Sequence, residues 1–308
     1  MWLRGRSAGC RRISSRGPGA AVACSSAILD ENEQHGSVKP LWSIAAFVTS
    51  AAFVTSVLAQ LLVASFEQHG ASHASTKVLD TPLTLARGAL IVQAALALLI
   101  VLALKRYPIL RARVSERARV SWLAVTGSLG LMLGLAPLAN ELGVRFAEAL
   151  HQSPENTAWV SQLVRTATSS EFALLAVVLT ILPALVEEYL FRGVLLGALR
   201  GAPALVALGL QAAAFGIFHM DPAQSMATFI LGLGFGFART QSGTMLAAVV
   251  SHATYNSIVL LTMRYAREQP SNASTHQNFG LLAAGALLSA VCALSLTKFV
   301  PSQTPEQT

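Results

Sequence analysis

Residues 172–200 read FALLAVVLTILPALVEEYLFRGVLLGALR. A helix needs roughly 20 predominantly apolar residues to cross a bilayer, and this run is longer than that. Its only charges before Arg200 are Glu187, Glu188 and Arg192. The reading is a membrane span that carries two acids and a base. Further apolar runs lie at 41–65, 88–104, 120–139, 204–220, 223–238, 243–262 and 279–297. The expected fold is therefore all-α: a polytopic transmembrane helix bundle of about eight spans.

Composition agrees. Of the 308 residues, 53% are hydrophobic and 12% charged. Soluble domains carry roughly 25% charged residues. Mean hydropathy is +0.55. A soluble globular fold is excluded, and so is disorder over most of the length. The first helix repeats six residues, Ala45–Ser50 and then Ala51–Ser56. That is too short for a repeat architecture and reads as a local duplication.

The net charge is +7. With the N-terminus inside, sixteen of the 22 lysines and arginines fall on inside segments. That asymmetry predicts that both termini are cytoplasmic. Topology and anionic headgroups account for the positive charge, so no nucleic-acid partner is implied. The expected surroundings are the lipid bilayer, with a bacterial inner membrane favoured over an organelle membrane.

Residues 1–40 are rich in Arg, Ser, Gly and Ala and read as a disordered basic tail. Their acid-poor start also has the character of a transit peptide. The bundle is expected over 41–300, with its chemistry at 172–262 and a short tail at 301–308. Cys10, Cys24 and Cys292 show no CxxC spacing and are read as free thiols in a reducing compartment.

A charge at the bilayer centre costs roughly 2.5–3.5 kcal/mol on insertion scales. Ionisable residues there are functional candidates. Glu188 and Arg192 are four apart and share a helix face. Glu187 is turned about 100° away and left to point elsewhere. Two carboxylates beside one arginine can hold different pKa values, one as structural anion and one as base. An interfacial charge cluster is the plainer alternative. Phe215 and His219 also share a face, and a lone histidine often only bonds within a core. His252 and Asn256, one turn apart, can donate two hydrogen bonds to one oxyanion. They can equally clamp two helices together.

Simple geometry links two of these motifs. Glu187 lies 16 residues before Pro203 and His219 lies 16 after it. Both are about 24 Å from the turn at 1.5 Å per residue, so a tight hairpin brings them level. His252 is nine residues past Gly243, which leaves it lower by about 10 Å on the same rise. Only tilt or a deeper turn closes that gap.

Glu-Glu-x-x-x-Arg at 187–192, Phe-x-x-x-His at 215–219 and His-x-x-x-Asn at 252–256 lie in that order on successive apolar segments. Together they resemble the CPBP family, which comprises CAAX prenyl endopeptidases and bacteriocin-processing or self-immunity (Abi) relatives. The resemblance covers about 172–262. It implies an intramembrane endopeptidase acting on a peptide or protein substrate at the membrane, prenylated in the CAAX case. It implies Glu187 as the base that activates water, assisted by His219. His252 and Asn256 would stabilise the oxyanion, and Glu188 and Arg192 would hold the site together. Two histidines and a glutamate can also ligate zinc. No His-Glu-x-x-His helix is present, and metal-independent chemistry is the favoured expectation. The competing reading is a non-catalytic multi-pass protein, either a transporter or a partner-binding or immunity scaffold.

Overall fold

The computed structural model describes residues 38–70, 81–114, 120–151, 155–265 and 276–298. The expected tails, Cys10 and Cys24 lie outside the described residues, apart from the first helix turn at 38–40. Every described element is a helix, and no strand occurs among these residues.

The helices are α1 (Val38–Gly70), α2 (Pro82–Arg106), α3 (Pro108–Val114), α4 (Trp122–Ala149), α5 (Glu155–Thr166), α6 (Ser169–Ala198), α7 (Ala204–Phe218), α8 (Pro222–Ser242), α9 (Met245–Tyr265) and α10 (Phe279–Thr297). Local chemistry sets many of the starts. Thr81, Ser121, Thr168, Asp221 and Asn278 each accept a backbone N–H from the first turn. Such caps satisfy donors that have no partner within the helix. Pro82 and Pro222 follow their caps, where a missing N–H does no harm. Gly243 ends α8 at φ 67°, a left-handed turn suited to glycine.

Five helices are long and apolar enough to cross a membrane: α2, α4, α6, α9 and α10. Each of the eight expected spans has a helix, but three fall short of that standard. Helix α7 is too short, and for α1 the apolar stretch among the residues described with their side chains is Trp42–Leu58. Helix α8 has the length, but polar residues such as Gln224, Thr228, Arg239 and Gln241 lower its hydropathy.

Packing centres on α4, against which α8, α9 and α10 all lie, while α7 lies along α8. Small residues allow this closeness. A Cβ placed on Gly134 would stand 2.6 Å from the Gly285 carbonyl oxygen, so α4 and α10 cross almost backbone to backbone. The Gly232 to Gly236 step does the same for α7: a Cβ on Gly232 would meet Ala212 at 3.2 Å and one on Gly236 would meet Gln211 at 2.5 Å. The largest apolar core gathers α1, α2, α6, α7 and α8 around Phe191, Phe215 and Phe235. Leu205, Ile217, Leu287 and Leu294 face outward, as lipid-facing side chains would.

Candidate active site

Helix α6 is regular only in part. Its backbone widens to π geometry at Val177–Ile181 and again at Tyr189–Leu195, on either side of the α-helical segment Leu182–Glu188. Single π turns often mark functional positions. Pro183 lies inside this helix and has no N–H to return to the Leu179 carbonyl four residues back. The Asn256 amide of α9 reaches that carbonyl at 3.5 Å.

The turn at 200–203 brings α6 and α7 together as a hairpin. Phe191 and Phe215, each twelve residues from Pro203, meet edge to face at 5.1 Å between ring centres. Equal distance from the turn thus gives equal depth here. Phe215 then packs against His219 at 5.0 Å and His252 at 5.7 Å.

Glu188 is fully buried. Its Oε1 accepts from Arg192 Nη1 at 2.9 Å and from His252 Nδ1 at 2.9 Å. Arg192, at 2% exposure, gives its Nη2 to the Gly232 carbonyl at 3.2 Å. Gln211 donates to the same carbonyl at 2.8 Å. The guanidinium lies over Phe215 and Phe235, 4.4 and 5.1 Å from their ring centres. Arginine's planar cation suits such stacking. Phe235 also stacks on the His252 ring at 4.8 Å. The i,i+4 pair expected from the sequence is therefore present, and it is locked from three other helices.

His252 bonds Glu188 directly, so the 10 Å shortfall of the level-hairpin estimate is closed. That estimate assumed that all turns end at one depth. The contact between His252 and Glu188 requires the α8–α9 connection at Gly243 to sit nearer the site, or α9 to tilt.

Glu187 takes a partner from another helix. Its Oε1 accepts from Gln93 Nε2 of α2 at 3.1 Å. Its Oε2 faces His252 Nε2 at 3.9 Å. That separation is too long for a hydrogen bond and short enough for one water to touch both atoms. The reading by motif missed Gln93 and Gln211. The signal was there: each is a lone amide inside an apolar run, where unpaired polar groups are costly.

His219 ends α7, and its Nδ1 bonds the Phe215 carbonyl at 2.8 Å. A carbonyl only accepts, so Nδ1 carries the hydrogen and Nε2 is left for other partners. No direct hydrogen bond joins His219 to Glu187 among the described residues. Met220 follows at φ 55°, a left-handed backbone that a side chain seldom adopts. Asn256 shares the α9 face of His252 but turns its amide to α6, so the two side chains take different partners.

No three His, Cys, Asp or Glu side chains are arranged to hold a metal ion among the described residues. The first imidazole spends Nδ1 on a backbone carbonyl and the second spends it on Glu188. Both rings keep Nε2, as a metal-ligating histidine does when its other nitrogen is bonded to a carbonyl or carboxylate, and no step below passes through a metal.

Residues 169–258 match the Rce1-like family, described as type II CAAX prenyl endopeptidase Rce1-like. The match spans less than a third of the chain and takes in all six candidate residues. It agrees with the CPBP resemblance carried by the three motifs. At family level the Rce1-like segment indicates a protease-type enzyme, integral to a membrane by its apolar helices and acting on a peptide or protein. No curated protein and no solved structure matches the chain.

Proposed function

We propose that this protein is an intramembrane endopeptidase that hydrolyses a peptide bond with a glutamate-activated water, and that its substrates resemble C-terminal prenylated CAAX peptides. The observation that carries the reading is the facing pair of Glu187 Oε2 and His252 Nε2, 3.9 Å apart with both side chains buried. The Rce1-like match over the same residues supports it.

Glu187 takes a proton from the bridging water as the water oxygen attacks the scissile carbonyl carbon. His219, with Nε2 uncommitted, assists that transfer. The tetrahedral oxyanion needs a donor. Glu188 holds His252 by Nδ1, and a hydrogen on Nε2 would make the ring a donor to the oxyanion. Asn256 supplies the second donor if its amide turns from Leu179. The proton on Glu187 then passes to the leaving nitrogen, the C–N bond breaks, and a carboxylic acid and an amine remain, the acid passing its own proton to the amine or to solvent. Arg192 and Glu188 touch no reacting atom and hold His252 in place.

One observation favours the scaffold reading: Glu187, Glu188, Arg192, His252 and Asn256 already have protein partners inside the bundle. A proteoliposome assay with a quenched-fluorescent farnesylated peptide separates the two. Glu187→Gln should lose about 10²- to 10⁴-fold in cleavage, the range for a general base. His219→Ala should also lose cleavage while the protein still inserts. Wild-type cleavage by Glu187→Gln would refute the enzyme reading, and a matching loss of solute transport would favour a transporter.

A further inference from the structure

We infer that Gln93 is a positioning residue for the proposed hydrolysis: its amide fixes one oxygen of Glu187 so that the other faces His252. The inference rests on the reading of Glu187 as base.

Three observations carry it. Gln93 is 6% exposed, on a helix otherwise apolar between Arg87 and Lys105. Its Nε2 donates to Glu187 Oε1 at 3.1 Å, across 94 residues of sequence. Its own Oε1 is buried without a partner among the described residues. An apolar side chain of similar size would avoid burying an amide whose oxygen is unsatisfied. A packing role alone therefore does not account for glutamine here. A carboxylate has two equivalent oxygens and rotates freely unless one is held. Arg192 and His252 hold Glu188. Among the described residues Gln93 is the hydrogen-bond donor to Glu187, and it comes from outside the matched segment 169–258. With Oε1 tied, Oε2 is left toward His252 Nε2. Reaction rates fall steeply when a catalytic group loses such orientation.

The test uses the full-length protein in proteoliposomes, the farnesylated peptide above, and Gln93→Met, which keeps length and loses the donor. Expected is a fall in kcat of about 10- to 100-fold, the size seen when outer-shell partners are lost. KM should stay unchanged, because substrate binding is not touched. Gln93→Asn, which keeps an amide on a shorter arm, should recover part of the loss. An unchanged kcat in Gln93→Met, a loss confined to KM, or an asparagine variant no better than methionine would each overturn the inference. Loss in Glu187→Gln with none in Gln93→Met would sink this inference alone, whereas normal cleavage by Glu187→Gln would sink the enzyme reading. Infrared spectroscopy gives a readout free of substrate. The carboxylate band assigned by its disappearance in Glu187→Gln should shift in Gln93→Met, and an unmoved band would count against the contact.

Discussion

A lysine at position 192 would carry the same charge as Arg192 and still fail there. The guanidinium spans Glu188 and the Gly232 carbonyl and lies over two phenylalanine rings. An ammonium is a point donor without that plane. Arg192→Met leaves Glu188 buried with His252 as its remaining partner. It should destabilise the protein by about 3–5 kcal/mol, the usual cost of breaking a buried pair from one side. Glu188→Gln with Arg192→Met should recover part of this, as read by thermal unfolding in detergent. The Glu188–Arg192 pairing was legible because four residues are one turn of one helix. The partners of Glu187 were not, because Gln93 lies 94 residues away and only packing brings it near.

Helix α6 ties Pro183 to Asn256. The proline withholds the N–H that would bond Leu179, and Asn256 donates to that carbonyl instead. Asn256→Ala should therefore cost about 0.5–1.5 kcal/mol, as for one lost hydrogen bond. In a Pro183→Ala background the helix can bond its own carbonyl, so the same change should cost less. The coupling in this double-mutant cycle should be about 0.5–2 kcal/mol by denaturant unfolding. Activity in the same four proteins separates two roles. If Pro183→Ala restores cleavage to Asn256→Ala, the amide serves the helix; if it does not, the amide serves the oxyanion. The crossing of α4 and α10 gives a second expectation. Gly134→Ala places a methyl against the Gly285 carbonyl, and α10 must shift. A cost of about 1–3 kcal/mol follows for such overpacking, with faster hydrogen exchange in α10. The proline and the glycines are visible in the sequence, but what each touches is not.

For the whole molecule, the distribution of lysine and arginine predicts cytoplasmic termini. Reporter fusions at each end should both report the cytoplasmic side, and a periplasmic or lumenal signal from either end would contradict the prediction. Long apolar runs predicted helices because in a bilayer the backbone must satisfy its own hydrogen bonds, which a helix does. The sequence by itself therefore determined an all-helical membrane chain, the order of its three motifs and the Glu188–Arg192 pair. These follow from apolar content and from periodicity within one helix. Tertiary structure decided how α7 and α8 pack beside the helices that are long and apolar enough to cross a membrane. It also decided that His252 stands level with the two acids and that Gln93 and Gln211 join the site. Those outcomes depend on tilt, turn depth and contacts between distant segments, which no local spacing encodes.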